Sequence, residues 1–273
     1  MNRRQEIRVL SWNLFHGRDA PPDPRLLTWR SRLLRTSERG TTHIQVNRGL
    51  YPEFSRLLAA AEWDIALLQE CPPRWSGRLA LDCGAQFHQI LTSRNAWARL
   101  RGLLADANPD LIASGEGGSN TTLVRPGAGR ILERRELELA QKPERRTMAF
   151  CRLSSGVCVA NLHATNDRPT LAAEELRAAA QAASAWADER PLILGGDLNL
   201  RPRHSPVFRE LTERHGLSAP ADAFAIDHIL ARGLEVVEPE RSWPPEARDV
   251  EEGGLAIRLS DHAPVEARFA FDG

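Results

Sequence analysis

"VCVANLHA", residues 157–164, is apolar on both alternating faces before it turns polar. Val157 and Val159 fall on one side, and Cys158, Ala160 and Leu162 on the other. Successive side chains of a strand point to opposite faces, so a strand with two apolar faces must be covered on both. Similar short runs recur along the chain: "IRVLSWNL", "DIALLQE", "SNTTLVR", "GRILERREL", "RTMAFCRL", "PLILGGDL", "AIDHILA" and "HAPVEARFAF". So many strands crowd a single open sheet, whereas two sheets packed face to face with helices outside bury them all. Helical periodicity supplies the covering elements. Residues 49–61 place Leu50, Phe54, Leu57, Leu58 and Ala61 on one face; residues 170–187 do the same with Leu176, Ala180, Ala183 and Trp186 or Ala187. Residues 96–107 form a third candidate helix, carrying Trp97, Leu100, Leu103, Leu104 and Ala107.

Composition narrows the function. The chain has 273 residues, within the range of a large α/β unit, and no repeat or Gly/Ser linker divides it, so one domain over 1–273 is expected. Lys plus Arg (36) balances Asp plus Glu (36), which excludes a disordered tail or a polyanion-coating protein. Any affinity for nucleic acid must come from a local patch. No run approaches the roughly 20 apolar residues of a membrane span, and "MNRRQEIRVLSWNL" carries no cleavage-site pattern, so a cytoplasmic location is expected. Cys71, Cys83, Cys151 and Cys158 show no metal spacing and read as buried thiols. Cys151 and Cys158 flank a hairpin-like "RLSSGV" and can lie opposite each other on two strands.

The apolar runs share an anomaly at their ends. "VLSWNL" delivers Asn13, "IALLQE" delivers Glu70, "VANLHATN" delivers Asn161, His163 and Asn166, and "LGGDLN" delivers Asp197 and Asn199. Residues two apart on a strand share a face, so Asp197 with Asn199, and Asn161 with His163, can reach one site from one edge. "AIDHIL" adds Asp227 and His228, and "LSDHAPV" adds Asp261 and His262, supplying groups suited to acid and base chemistry. His228, next to Asp227 on a strand, should point to the other face.

In order, WN (Trp12, Asn13), QE (Gln69, Glu70), SN (Ser119, Asn120), NLH (Asn161 to His163), GDLN (Gly196 to Asn199), IDH (Ile226 to His228) and SDH (Ser260 to His262) resemble the endonuclease/exonuclease/phosphatase superfamily of deoxyribonuclease I-like metal-dependent phosphoesterases. Each motif alone is weak; in this order over residues 12–262 they are specific. The resemblance implies an α/β fold, a four-layer α/β/β/α sandwich of two mixed sheets, in agreement with the doubly covered strands. It also implies hydrolysis of phosphoesters by in-line attack of an activated water. Glu70 would be the main metal carboxylate, with Asp261 and Asn13 nearby, and hard oxygen ligands suit Mg²⁺ or Mn²⁺. Asp197, oriented with Asn199, would hold and deprotonate the water. His262, paired with Asp227, would act on the phosphate as base or as cationic stabiliser. His163 would lie near the leaving group, and Asn120, Asn161 and Asn166 on the substrate side.

Two stretches, residues 17–47 and 93–118, exceed what the chemistry requires. The first carries Arg25, Arg30, Arg32, Arg35, Arg39 and Trp29, a set that can grip phosphates and stack a base or form a solvated basic helix. On that feature a nucleic-acid phosphodiesterase is favoured, with a small-molecule or lipid-headgroup phosphoesterase as the alternative. A catalytically dead binding member has no chemical reason to keep Glu70, Asp197, Asn199, Asp227, Asp261 and His262 together.

Overall fold

The computed structural model describes residues 4–92, 118–142 and 144–272. Its strands are β1 (Arg4–Asn13), β2 (Glu38–Arg39), β3 (Ile44–Gln45), β4 (Ile65–Cys71), β5 (Gln86–Leu91), β6 (Ser119–Val124), β7 (Ile131–Ala140), β8 (Arg146–Leu153), β9 (Cys158–His163), β10 (Leu192–Asp197), β11 (Asp227–Arg232), β12 (Glu235–Ser242), β13 (Asp249–Glu252), β14 (Leu255–Arg258) and β15 (Val265–Asp272). The helices are α1 (Trp29–Leu34), α2 (Tyr51–Ala60), α3 (Ser76–Asp82), α4 (Pro169–Ala187) and α5 (Val207–His215). One sheet runs β12-β15-β1-β4-β6-β5 and the other β11-β10-β9-β8-β7.

Three apolar clusters mark the layers. Ile7, Val9, Ile65, Leu67, Val159, Ile193 and Ile229 pack between the sheets. Leu10, Trp12, Ala66 and Leu68, the other faces of β1 and β4, pack with Leu50, Phe54 and Leu58 of α2 and Leu79 of α3. Cys158, Ala160, Leu162, Leu192 and Leu194 meet Leu176, Ala180 and Ala183 of α4 and Phe208 of α5. The sandwich is therefore helix, sheet, sheet, helix, and "VCVANLHA" is covered on both faces as its pattern demands.

All nine apolar runs form strands of the two sheets. The strands that apolar patterning misses are β5 and β12, at the edges of the first sheet and largely exposed, where no second apolar face is needed. The 96–107 helix, and residues 93–117 of the second long stretch, lie outside the described residues. All four cysteines are free and buried. Cys151 faces the inter-sheet core and Cys158 the helical layer, so although β8 and β9 are neighbours the two thiols point apart. Burial pushes the Cys151 thiol up to about 12.

The paired glycines of β10 have a steric cause. A Cβ on Gly195 would lie 2.7 Å from the His228 carbonyl oxygen and 2.9 Å from Leu67 Cδ1 of the facing sheet. At Gly196, where φ is +136°, it would lie 1.9 Å from the Leu162 carbonyl oxygen. Backbone cannot yield as a flexible side chain does. Gly196→Ala is expected to cost about 3 kcal/mol or more, read as a shift in the urea midpoint at constant slope; a change under about 0.5 kcal/mol would show that β9 and β10 are not packed this closely.

Candidate active site

The cleft forms where two pairs of parallel strands end together. β1 runs parallel to β4, and β9 parallel to β10, so Asn13, Glu70, His163 and Asp197 arrive at one rim. β11 is antiparallel to β10 and begins there, with Asp227 opposite Asp197. The cleft measures about 390 Å³ and is lined by Asn13, Phe15, Glu70, His163, Asn166, Asp197, Asn199, Asp261 and His262, joined by Glu144, Arg146, Thr165 and Asp167.

Asp197 is its hub. Oδ2 accepts from Asn13 Nδ2 at 2.9 Å, with His163 Nε2 at 3.3 Å and His262 Nε2 at 3.8 Å. Oδ1 accepts from the Asn199 backbone N–H at 3.2 Å. Burial, then the charge of Asp227, raises Asp197 well above the usual carboxylate range, against the pull of His262 and Asn13. His262 Nδ1 lies 2.7 Å from Asp227 Oδ2. Burial opposes the His262 cation, but the Asp227 hydrogen bond and charge, aided by Asp197 and Asp261, outweigh it and push its pKa up to about 10. His163 is buried, and burial with the nearby Arg146 charge holds it well below the usual histidine range, so it is neutral.

The His262 backbone is fixed from several sides. Its carbonyl accepts from Trp12 Nε1 (3.0 Å) and the buried Arg248 (2.9 Å), and its N–H donates to Ser260 Oγ (3.1 Å). Ser260 Oγ in turn donates to the Asn13 carbonyl at 2.6 Å, tying the SDH loop to β1. Among the described residues, six of the eight non-glycine residues with left-handed backbone, Phe15, His16, Glu70, Asp167, Asn199 and Ser260, belong to this rim or adjoin it. Such conformations cost energy and persist where the surroundings over-determine them.

Glu70 shows why the strain matters. Simple alternation puts it opposite Gln69, away from the inter-sheet side. An irregularity of register between Leu68 and Cys71, with Glu70 at φ +47°, turns its carboxylate into the cleft. There Oε2 lies 3.1 Å from His16 Nε2 and Oε1 4.0 Å from His163 Nδ1. His16, which no motif marks, thus belongs to the site. Asn199 is likewise carried by a turn and not by the strand, since β10 ends at Asp197; its amide donates to the Ala164 carbonyl at 3.0 Å.

Two residues expected on the substrate side lie away from the cleft. Asn161 is fully buried beneath the cleft, accepting from Gln69 Nε2 (2.8 Å) and donating to the Leu68 and Thr121 carbonyls, so it staples the sheets and touches no substrate space. Asn120 is also fully buried, donating to the Thr147 carbonyl at 2.8 Å, and does not line the cleft. Asn13 lines it with both ends of its amide engaged, the oxygen accepting from Phe15 N at 3.0 Å. Asn166, Asp261, Asn199 and His163 face the cleft as expected. His228 points away, between Glu240 Oε1 (2.8 Å) and the Ala225 carbonyl (3.1 Å), against Phe208. Arg146 and Glu175 carry no strand-end signal: Arg146 enters the cleft from the start of β8, and Glu175 of α4 holds Thr165 through its N–H and hydroxyl, both at 2.7 Å.

The donor set suits a hard divalent cation. Glu70 and Asp261 line one cleft, and Glu70 is among the charges that raise Asp261 after its loss of water, a repulsion that a cation relieves. Asp197, Asp227 and His262 also lie within 4.8 Å of one another. Within that trio His262 and Asp227 form a hydrogen-bonded dyad through Nδ1, with Asp197 at 3.8 Å from His262 Nε2.

Two packed mixed sheets with helices outside thus bring acidic and imidazole groups to a common strand rim. The chain belongs to the endonuclease/exonuclease/phosphatase family, a family of phosphoester hydrolases, whose model matches residues 10–262. No curated protein sequence matches it. Among solved structures it is similar to an endonuclease/exonuclease/phosphatase family protein from Bacteroides thetaiotaomicron (TM-score 0.65, 16% identity, covering 100% of this chain and 97% of that one). It is also similar to the mannosyl-6-phosphatase of Bacteroides thetaiotaomicron VPI-5482 (0.63, 17%, covering 97% and 100%) and to the human Nocturnin catalytic domain with bound sulfate (0.62, 15%, covering 98% and 96%). At these identities the likeness is one of fold.

Proposed function

We propose that the chain hydrolyses a phosphoester by direct attack of a water held by Asp197, in a cleft that also binds Mg²⁺ or Mn²⁺ through Glu70 and Asp261. The observation that carries this is the hub geometry: a buried carboxylate with raised proton affinity, oriented by Asn13 and Asn199, beside a fixed imidazolium. A base whose pKa sits nearer neutrality than an ordinary carboxylate's accepts a water proton with better driving force. When bound, the metal neutralises phosphoryl oxygen charge and aligns the ester. Asn13 is assigned to Asp197, which it already holds, and not to the metal. His262 is the cationic stabiliser: its Nε2 faces the same space as Asp197 and retains its proton at neutral pH. Neutral His163 and Asn166 supply donors to the ester oxygens. Arg146 adds fixed positive charge on the wall.

Asp227→Asn tests the dyad. It removes the charge that holds His262 up and leaves at most a neutral acceptor for Nδ1–H, so the imidazolium loses its proton at lower pH. In the wild type the alkaline fall in kcat/KM follows His262 near pH 10; in the variant it moves down by more than about one pH unit. An unmoved alkaline limb would remove His262 from the role of cation.

The substrate class follows from a panel assayed with Mg²⁺ and with Mn²⁺: single- and double-stranded DNA, RNA, an abasic duplex, sphingomyelin, an inositol phosphate, a sugar phosphate and bis-p-nitrophenyl phosphate. Of the five arginines that favoured nucleic acid, Arg25 forks onto Asp23 and Arg39 donates to the Gly253 carbonyl. The compact cleft suits one phosphoryl group with a small substituent. Metal-dependent turnover of at least one compact ester is expected; silence throughout would overturn the proposal.

A further inference from the structure

Four of the ten large apolar side chains left exposed among the described residues fall within eight consecutive positions: Leu27 (45%), Trp29 (63%), Leu33 (60%) and Leu34 (61%). Exposed leucines scattered singly need no explanation; a cluster with an aromatic does. The same stretch, Pro24 to Ser37, contains Arg25, Arg30, Arg32 and Arg35 and no carboxylate.

The segment is anchored. Leu26 is buried, and Ser31 is fully buried with its carbonyl accepting from Asn47 Nδ2 at 2.7 Å. Thr28 caps α1 by accepting from Ser31 N at 3.1 Å, and Arg35 ends it in a left-handed conformation. At about 100° per residue, the inward Ser31 puts Trp29 and Leu33 on the opposite, outward face, with Arg30 and Arg32 on either flank. Water is a poor partner for that tip, and burying it inside the protein would strand the arginines.

We propose that this face docks on an anionic lipid surface. Trp29 and Leu33 enter the headgroup boundary, with Leu34 on the flank of the helix, while Arg30 and Arg35 pair with lipid phosphates and carboxylates. Nucleic acid would use the arginines and Trp29 but has no partner for three exposed leucines. The stretch leaves the cleft at Phe15–Gly17, and its start is tied to the SDH loop through Ser260 N to the Arg18 carbonyl (3.0 Å) and a bridge between Asp19 and Leu259. Docking therefore couples a membrane surface to the polypeptide that forms one rim of the site. The surface itself is independent of the catalytic assignment.

Vesicle sedimentation tests it, with phosphatidylcholine vesicles and phosphatidylcholine–phosphatidylserine vesicles as the two arms. The wild type is expected to bind the anionic vesicles and not the neutral ones at low salt. Arg30→Gln with Arg35→Gln weakens that binding by roughly thirtyfold, and Trp29→Ala with Leu33→Ala by at least about tenfold. Turnover of soluble bis-p-nitrophenyl phosphate and the circular dichroism spectrum stay unchanged in both variants, which separates this surface from the cleft. Subtracting the emission of Trp29→Phe from that of the wild type isolates a component that shifts to the blue on anionic vesicles. No binding by the wild type, equal binding by the variants, or binding of a DNA duplex in place of vesicles that the same variants abolish would each overturn the proposal, the last assigning the face to nucleic acid.

Discussion

Asp197→Asn is expected to lower turnover roughly 10²- to 10⁴-fold, the range associated with losing a positioned general base. The substitution keeps the shape of the side chain but removes its charge and its ability to take a proton, and it replaces one of the two oxygens that accept from Asn13 and Asn199 with an amide NH₂. Stability separates this from a folding defect, and the sign is definite. Burial and Asp227 raise the proton affinity of Asp197 in the folded state, so the ionised form works against folding above the raised value. A neutral amide there removes that cost and gives up one accepted hydrogen bond, so the thermal midpoint at pH 8 is expected to stay close to the wild-type value. An inactive variant with a midpoint well below the wild type would mean that Asp197 is structural; near-normal turnover would mean that another group holds the water.

Glu70→Gln has the second largest effect, and it falls on metal dependence. Glu70 reaches the cleft only through the irregularity at the end of β4, and it brings charge of the sign a divalent cation needs. Gln keeps the reach and loses the charge. The Mg²⁺ concentration for half-maximal activity is expected to rise on the order of 100-fold, with turnover at saturating metal far less affected. It is measured by titrating Mg²⁺ into chelator-stripped protein. A variant with the wild-type metal requirement would transfer that role to other oxygens of the cleft.

The doubly apolar strands made the sandwich legible because burial on two faces leaves a pattern nothing else produces. Edge strands β5 and β12 leave none, since exposed edges tolerate polar residues. At the site, strand-end polarity marked Asn13, Glu70, His163 and Asp197, and the pairing of His262 with Asp227 followed from the resemblance. The direction of each side chain was harder. Asn161 shares a face with His163 in alternation, yet one stops between the sheets and the other reaches the cleft, because two residues along a strand also means a different depth. Glu70 and Asn199 reach the site through left-handed backbone, which periodicity does not encode. Arg248 and Glu175 act by gripping loops, and a buried ion's value to a distant loop has no local signature. Arg146 lies at the beginning of a strand, not its end, and so carries no strand-end signal.

The most direct test of single displacement by an Asp197-held water is the stereochemistry at phosphorus. A diester from the panel with two different ester groups is prepared as a phosphorothioate of known configuration and hydrolysed in ¹⁸O-labelled water with the metal that supports turnover. One ¹⁸O in the phosphorus-containing product with inverted configuration is the predicted result; retention, which requires a covalent intermediate, or ¹⁸O in the departing alcohol would contradict it.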